Sequence, residues 1–390
     1  MPDYSIPLSV PSIHGNEWQY VKECLDTEWV SSAGKYVDLF EEKVSEYTGA
    51  KYTISCVNGT SALQVSLRLA GVQPGDEVIV PTLTFIAPVN AVSYNGATPV
   101  FMDADEYYNI DTEKTIDFIQ KETKFSHNGS QFTINRKTGK RIAAIIPVHV
   151  WGNAARLDEL IPLCLERNIA VVEDASESLG SFYKEGKYEG KHTGTIGKLG
   201  CLSFNGNKII TTGGGGMILT DDADLAEKAR YLTTQGKDDP VRYIHNEIGY
   251  NFRLTNIQAA LGVAQLEQLP GFLERKQEIY HQYLKGIEGI TGLVLAERPD
   301  YASNNYWLNL AQIDSQAYGE DRESLMKRLE QNGIQIRPVW ALNHLHKPYK
   351  DCQSYKIEKA SIVVSKSLCI PSSVGLNKKD ILNIINNLKN

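Results

Sequence analysis

The stretch S-F-N-G-N-K-I-I-T-T-G-G-G-G, residues 203–216, follows a short apolar run and leads into another at residues 217–219. Two such runs around a polar stretch predict two buried strands, with Lys208 on the connection between them. Four consecutive glycines indicate close backbone approach or unusual dihedral angles. Apolar neighbours favour the neutral amine of a lysine, which is then a nucleophile. An ordinary surface loop with a solvated lysine fits this stretch equally well.

Length and composition are typical of a soluble globular protein. The 390 residues, 42% hydrophobic and 22% charged, predict two domains. A net charge of −7 argues against nucleic acid or an anionic membrane as partner. Without a signal-peptide pattern or an apolar run of bilayer length, we expect a cytoplasmic protein. The cysteines lack C-x-x-C spacing, which predicts reduced core thiols: Cys24, Cys56, Cys164, Cys201, Cys352 and Cys369.

Strand and helix patterns alternate along the first two thirds of the chain. Predicted strands cover residues 52–57, 77–81, 98–102, 143–150 and 170–173, with helices between them. This alternation predicts an α/β fold with a mainly parallel sheet flanked by helices and functional groups at the carboxyl ends of the strands. One region departs from this alternation: polar residues 123–141 predict an exposed hairpin insertion.

We assign residues 1–265 to a large domain and residues 266–390 to a small α/β domain. The small domain begins with a helix predicted at 270–287.

Polar or aromatic residues that are candidates for ligand binding follow three of the predicted strands. Residues 58–63, N-G-T-S-A-L, open a helix and predict either a phosphate site or an ordinary N-cap. Asp174 ends a strand, where its carboxylate can face a pyridinium nitrogen or cap a helix. Phe85 follows another strand and is placed to stack on a flat ring, although core packing is equally compatible.

Three stretches together carry a family resemblance: residues 173–180, 203–216 and 249–260 (G-Y-N-F-R-L-T-N-I-Q-A-A). They resemble the DegT/DnrJ/EryC1/StrS sugar aminotransferases, which are fold-type-I enzymes dependent on pyridoxal 5′-phosphate (PLP). The resemblance implies that Lys208 forms the Schiff base with the cofactor and that Asp174 binds the pyridine nitrogen.

The same resemblance assigns the other cofactor contacts. Glu177 lies near the phenolic oxygen of PLP and Phe85 stacks on its ring. The phosphate is held by Gly59, Thr60, Ser61 and Ser203. Asn251 reaches the phosphate of the neighbouring subunit, which implies a homodimer with composite active sites.

The loop motif G-N-K-x-I-T-T-G-x-G-G resembles family members that aminate C4 of nucleotide-linked 4-keto-6-deoxy sugars, with glutamate as donor. Gly214, where many relatives carry Glu, and the insertion at 123–141 resemble the subgroup acting on UDP-2-acetamido-2,6-dideoxy-4-keto-hexose. That subgroup supplies bacillosamine and legionaminic acid, amino sugars of bacterial surface polysaccharides. Corresponding stretches in relatives predict substrate contacts at Trp29, Ser31, Arg337 and Trp340, although Arg337 also fits a surface arginine.

Other functions remain open. A family member acting on a GDP- or dTDP-linked keto sugar shares these motifs, as does another fold-type-I PLP enzyme such as a desulfurase or aldolase. A PLP-binding regulatory protein requires a DNA-binding module, for which the sequence has no basic extension. His344 and His346 stand without further ligand candidates, so we expect no metal site.

Overall fold

Two β-sheets organise the chain, and one long helix runs from the first to the second. The computed structural model describes residues 4–126, 131–239 and 241–389. The first part contains, in chain order, α1 (Glu17–Asp26), α2 (Lys35–Thr48), β1 (Tyr52–Cys56), α3 (Gly59–Leu69), β2 (Glu77–Pro81), α4 (Ile86–Tyr94), β3 (Thr98–Met102), α5 (Thr112–Lys121), β4 (Thr123–Ser126), β5 (Phe132–Asn135), β6 (Ile142–Ile145), α6 (Leu160–Glu166), β7 (Ala170–Asp174), β8 (Leu199–Ser203), β9 (Gly216–Thr220) and α7 (Ala223–Thr233). The second part contains α8 (Asn256–Gly286), β10 (Leu293–Leu295), β11 (Asn309–Ile313), α9 (Ser315–Tyr318), α10 (Arg322–Gln331), β12 (Arg337–Pro338), β13 (Ser354–Tyr355), α11 (Lys359–Lys366), β14 (Ser367–Ile370) and α12 (Lys378–Leu388).

The larger sheet has eight strands in the order β1-β9-β8-β7-β6-β2-β3-β13. All neighbours are parallel except β9, which runs antiparallel to both β1 and β8. The predicted mainly parallel sheet is therefore confirmed. Because parallel strands end at one edge of a sheet, the residues that follow β1, β2, β7 and β8 meet there. The antiparallel β9 begins at the same edge, so the loop that carries Lys208 also lies there.

Residues 123–141 form the predicted hairpin, in which β4 pairs antiparallel with β5. The prediction that this insertion is exposed is wrong for one face. Thr123, Thr133 and Asn135 are buried, and Asn135 Nδ2 donates to Glu77 Oε2 of β2 at 2.7 Å. The hairpin therefore packs on the large sheet. Its tip, residues 127–130, lies outside the described part of the chain.

The smaller sheet is antiparallel, with the order β10-β11-β14-β12. The helix predicted at 270–287 begins earlier, at Asn256, with a capping box formed by Thr255 and Gln258. Proline normally ends a helix because it lacks an N–H donor, yet Pro270 lies inside α8. The buried face of α8 packs on α1 and α2 and continues into the small sheet. Consequently α8 crosses the predicted domain boundary at 265/266, and the division into these two domains stays a prediction.

A buried carboxylate joins the large sheet to α11. Asp103, directly after β3, accepts from the N–H groups of Glu358, Lys359 and Ala360 at 2.8–3.0 Å and from Lys114 Nζ at 2.7 Å. Burial disfavours its charge, but these donors outweigh that effect and hold the pKa of Asp103 below its ordinary value. Asp103 thus caps a helix that is distant in sequence.

Replacing Asp103 is expected to destabilise the fold. Because Asp103→Ala leaves three helix-terminal N–H groups and Lys114 without this acceptor, we expect a loss of about 3 kcal/mol in the free energy of unfolding at pH 7. Asp321→Ala removes the exposed cap of α10 and serves as the matched control, with a loss of about 1 kcal/mol. Urea denaturation of the three proteins measures both values. Equal losses for the two variants would contradict the anchoring role.

The sign of the pH dependence follows from the lowered pKa. A carboxylate with a depressed pKa in the folded state stabilises the protein above its unfolded pKa of about 3.9. This contribution disappears as the pH falls through the folded pKa. The stability advantage of the wild type over Asp103→Asn should therefore shrink progressively below about pH 4.

Candidate active site

A cavity of about 300 Å³ opens at the edge where β7 and β8 end. Helix α3, the loop between β8 and β9, and two segments of the second part of the chain enclose it. Seven of the predicted cofactor residues line it: Gly59, Thr60, Phe85, Asp174, Glu177, Ser203 and Lys208. Sequence reasoning also placed Trp340 and Gly214 near the site, and both line the cavity.

Lys208 lies on the predicted strand-to-strand connection. A turn brings its backbone N–H to the carbonyl of Asn205 at 3.0 Å, and its side chain is 13% exposed. Nζ lies 3.5 Å from Glu177 Oε1 and 4.0 Å from the centre of the Trp307 ring. The amine is therefore held between a carboxylate and an aromatic face at the wall of the cavity.

Asp174 is the last residue of β7, and no helix follows it, so it is not a helix cap. Within the part of the chain that the structure describes, its carboxylate accepts from Ser176, whose N–H lies 3.0 Å from Oδ1. Burial raises the pKa of Asp174, although Ser176 and the charges of Lys208 and His149 act in the opposite direction. A buried carboxylate that faces a cavity with so few donors favours a cationic partner inside that cavity.

Glu177 is the second carboxylate at the cavity and is 5% exposed. The N–H of Trp151 donates to Oε2 at 2.9 Å, while Oε1 faces Lys208. Burial raises the pKa of Glu177, and the nearby positive charge of Lys208 opposes that rise. Such a carboxyl holds or releases a proton according to the charge beside it.

Glu173, which sequence reasoning left without a role, lies directly before Asp174 and accepts hydrogen bonds from groups outside the cavity lining. It is completely buried and accepts from His149 Nε2 at 2.8 Å. The N–H groups of Gly194, Ile196 and Gly197 donate to it at 2.5–2.8 Å. Burial opposes its charge, but these donors hold the pKa of Glu173 below its ordinary value. The sequence signal was a second acidic residue at the end of an apolar strand.

The start of α3 forms a cradle for an anion. Asn58 caps the helix by accepting from the N–H of Ser61 at 2.7 Å, and the N–H groups of Gly59 and Thr60 belong to the first turn, where intrahelical partners are absent. A Cβ on Gly59 would lie 2.9 Å from Cβ of Ser203, so glycine permits the close approach of α3 to β8. Ser61 is buried and lies outside the cavity lining.

The glycine run beside Lys208 meets three separate steric demands. Gly213 has a φ of +80°, which favours glycine. A Cβ on Gly215 would lie 2.2 Å from Thr212 Oγ1, and one on Gly216 would lie 2.4 Å from the carbonyl carbon of Asn58. Gly214 differs, because a Cβ there would meet nothing closer than 3.9 Å. This position of the cavity wall therefore has room for a side chain.

An aromatic wall closes one side of the cavity. Phe85 is 53% exposed, and its ring centre lies 6.2 Å from that of Trp340. Trp340 in turn stacks on Trp151 with ring centres 4.7 Å apart. A half-exposed aromatic ring at the mouth of a polar cavity is suited to stacking on a flat ligand. The expectation of a core position for Phe85 is thus excluded.

Several predicted contacts lie away from this cavity within one chain. Trp29 lines a separate pocket beside α1 and α2, and the carbonyl of Ser31 accepts from the N–H of Asn256. Arg337 is half exposed and pairs with Glu330 at 3.4 Å. Asn251 is exposed and stands outside the lining. The structure of one chain therefore does not bring these four residues to the site.

Sequence reasoning missed Trp307, although it forms the floor beneath Lys208. Its indole N–H donates to the carbonyl of Asn207 at 2.5 Å, a contact between residues 100 positions apart. A local pattern carries no signal for such a contact. The other polar residues of the lining that were not given a role are Thr84, Ser176, Asn205 and Asn207.

These residues fit PLP. The cavity offers a cradle for a phosphate at α3, an aromatic ring for stacking, a buried carboxylate that forms no ion pair with any described residue, and a nearby lysine amine. Among the described residues, no group of three or more His, Cys, Asp and Glu is arranged to hold a metal ion. No helix in the described ranges is long and apolar enough to span a bilayer.

Comparisons with known proteins agree with this chemistry. The GDP-perosamine synthase of Caulobacter vibrioides is 37% identical over 382 residues, which cover 97% of this chain and 96% of that protein. The GDP-perosamine synthase of Escherichia coli O157:H7 matches with the same identity and coverage. Among solved structures, the aminotransferase TlmJ from Streptoalloteichus hindustanus has a TM-score of 0.86 at 27% identity and covers 98% of each chain.

The family model described as DegT/DnrJ/EryC1/StrS aminotransferase matches residues 11–389. This match spans both sheets and every residue of the cavity described above. The chain therefore belongs to the DegT/DnrJ/EryC1/StrS family of PLP-dependent sugar aminotransferases.

Proposed function

We propose that this enzyme transfers the amino group of glutamate to C4 of a GDP-linked 4-keto-6-deoxy sugar. The observation that carries the sugar-nucleotide class is the similarity, over nearly the whole chain, to GDP-perosamine synthases. The narrower expectation of a UDP-linked acetamido sugar, drawn from Gly214 and the insertion at 123–141, is less well supported than the GDP-linked alternative. The hairpin bonds to Glu77, the first residue of β2, at the edge of the sheet opposite the glycine loop, so it gives no support to a particular nucleotide.

In this proposal Lys208 is the residue that moves protons. When bound, PLP supplies the carbonyl that exchanges the amino group and a ring that accepts electrons. Nζ of Lys208 takes a proton from Cα of glutamate, which leaves as 2-oxoglutarate. In the second half of the reaction the same amine delivers a proton to C4 of the sugar.

The other residues of the cavity hold the cofactor and tune the charges around its ring and around the Lys208 amine. Asp174 keeps its negative charge when a pyridinium stands opposite, because that cation offsets the burial that otherwise raises its pKa. Glu177 lies between Lys208 and the Trp151 N–H, where it orients the amine. Gly59, Thr60 and Ser203 bind the phosphate at the start of α3, and Phe85 stacks on the cofactor ring, whereas Ser61 lies outside the lining. Trp340, beside Phe85, contributes to the sugar-nucleotide side of the site.

We further propose that the active unit is a homodimer. Asn251 follows a segment with large exposed apolar side chains, Val241, Tyr243 and Ile248, which are 71–81% exposed in one chain. Exposed apolar patches of this kind are typical of protein–protein interfaces. In the dimer, Asn251 reaches the partner's phosphate, and Trp29, Ser31 and Arg337 contact substrate. The cytoplasmic location stays a prediction.

The substrate class is tested with a panel of nucleotide sugars. Purified enzyme with glutamate is incubated with GDP-, UDP- and dTDP-linked 4-keto-6-deoxy sugars, and amino-sugar formation is followed by mass spectrometry. We expect the highest kcat/KM with the GDP-linked sugar and none with Lys208→Ala, since removal of an acid–base group alone costs about 10²–10⁴-fold. Preference for the UDP-linked sugar would contradict the nucleotide assignment. Near-native turnover by Lys208→Ala would contradict the mechanism itself.

The role of Asp174 is tested by removing its charge. Asp174→Asn keeps the size of the side chain and its bond from Ser176, so the variant should still bind the cofactor. Loss of one preorganised electrostatic contact typically costs about 10²–10³-fold in kcat, which is the loss we expect. Asp221→Asn, just after β9 at the opposite edge of the sheet, is the matched control and should react as the wild type does. Full activity of Asp174→Asn would move the ring-nitrogen partner elsewhere.

Composite active sites are tested by mixing two inactive variants. Asn251→Asp places a like charge near phosphate and should empty the site, and Lys208→Ala lacks the amine. In a hybrid dimer, one site takes both Lys208 and Asn251 from unmutated positions, so co-refolded subunits should recover about half of the wild-type activity per hybrid. If hybrids recover nothing while both parents dimerise, or if Asn251→Asp alone is fully active, Asn251 has no cross-subunit role.

A further inference from the structure

Lys276 is a buried lysine of α8 for which the mechanism above has no role. It is 4% exposed, and its Nζ donates to the backbone carbonyls of Trp307 at 3.0 Å and Ser372 at 2.6 Å. Both acceptors belong to segments of the second part of the chain, before β11 and after β14. Lys276 therefore joins the long helix to two loops at one buried point.

This arrangement has an energetic cost. Among the described residues Lys276 forms no ion pair, and a buried cation without a carboxylate partner is unfavourable. Burial, and then the positive charge of Arg298, lower the pKa of Lys276 to about 7. Because a lysine carries N–H donors whether or not it is charged, both hydrogen bonds remain available on either side of that pH. A leucine or methionine would leave both carbonyls, which belong to buried residues, without these donors, so Lys276 contributes more than packing.

The Trp307 carbonyl connects Lys276 to the reacting amine. The indole N–H of Trp307 donates to the carbonyl of Asn207, which directly precedes Lys208. The face of the same ring lies 4.0 Å from Lys208 Nζ. Trp307 is thus fixed at its backbone by Lys276 and at its ring edge by the lysine loop, with Lys208 against its face.

The loop around Trp307 is held from other directions as well. Asn305 Nδ2 donates to the carbonyls of Glu177 and Leu179, and its Oδ1 accepts from the Trp307 N–H at 3.0 Å. Arg298 donates to the side-chain oxygens of Asn304 and Asn309. These bonds set the ends of the loop, whereas the Trp307 carbonyl itself accepts from Lys276.

We propose that Lys276 is a positioning residue of the reaction, which fixes the indole of Trp307 against Lys208 through the Trp307 carbonyl. This inference rests on the proposed role of Lys208. An aromatic face beneath an amine stabilises its charged form and limits its motion. Because a displacement of about 1 Å can cost about 10²-fold in rate, a loosened Trp307 should slow the proton transfers made by Lys208.

The first test compares Lys276→Met with a matched control. Tyr283→Phe removes the hydrogen bond from the same helix to the carbonyl of Pro371, next to Ser372, at 2.9 Å without touching Trp307. The single-turnover rate of holoenzyme with glutamate is measured for both variants. We expect a rate about 10-fold lower for Lys276→Met and no change for Tyr283→Phe. Lys276→Gln, which keeps an N–H donor, should react faster than Lys276→Met. Equal rates for Lys276→Met, Tyr283→Phe and wild type would overturn the proposal.

A double-mutant cycle separates positioning from general stabilisation. If Lys276 acts through Trp307, then Lys276→Met should add no further loss to Trp307→Leu in the same single-turnover rate. If the two losses multiply, Lys276 acts by another route and the proposal is wrong. The KM for the nucleotide sugar should be unchanged in Lys276→Met, since Lys276 lies behind the cavity rather than in its lining.

The last readout does not depend on the loaded enzyme. The full-length chain freed of PLP is treated with formaldehyde and cyanoborohydride, and methylation of Lys208 is quantified by mass spectrometry of its peptide. Lys276→Met should expose the amine, so Lys208 should react several-fold faster than in the wild type, with Lys276→Gln intermediate, while the exposed Lys379 should not change. Unchanged labelling would overturn the positioning role. Turnover by Lys208→Ala, in contrast, would refute the proposed function.

Discussion

The site depends on the alternation of side chains along a single strand. Successive residues of a strand point to opposite faces, so the adjacent acids Glu173 and Asp174 at the end of β7 diverge. Glu173 turns to the interior, where His149 and three backbone N–H groups compensate its buried charge. Since those N–H groups belong to the segment that leads into β8, the same carboxylate positions the strand that carries the chain to Lys208. Asp174 turns to the cavity and keeps a carboxylate that a bound cation can use.

A second constraint couples the two sheets. The loop from residue 304 leads into β11 of the small sheet, which begins at Asn309. Side chains of this loop nevertheless extend to the edge of the large sheet. Asn305 bonds to the backbone beside Glu177, and Trp307 lies beneath Lys208. A change in the relative position of the sheets would therefore move the ring beneath the amine. In our proposal the buried Lys276 of α8, a helix that packs on α1, α2 and β10, holds this ring in place through the Trp307 carbonyl.

The sequence predicted those features that depend on neighbours in the chain. Strands 77–81 and 98–102 were predicted with the bounds that are observed, because each has turn residues at its ends and a clear pattern. The strand ends at Asp174 and Ser203 also followed from local patterns. The start of α8 did not, because Pro270 reads as a helix boundary while the packing of α8 on α1 and α2 overrides it.

Local sequence patterns could not predict contacts between segments that are distant in the chain. Hydrogen bonds of Trp307, Asp103 and Lys276 each join segments that no sequence period or motif connects. An aromatic residue such as Trp307 ordinarily indicates core packing. The sequence likewise does not show that a polar side chain such as Glu173 is buried. The cost of burying its charge is offset only by hydrogen-bond donors that the fold brings together.

The limits of motif reasoning about the substrate have a structural cause. Residues 203–216 surround the amine and the expected cofactor phosphate, so they bear on amino transfer and not on the nucleotide. The glycine run illustrates this, because three of its positions answer steric demands of the loop itself and only Gly214 is free to vary. Of the four residues predicted to contact the substrate, Trp340 lines the cavity, whereas Trp29 lies beside α1 and Arg337 on the edge strand β12. The prediction of amino transfer therefore draws on residues that one cavity brings together, whereas the prediction of the nucleotide draws mainly on residues that one chain leaves apart.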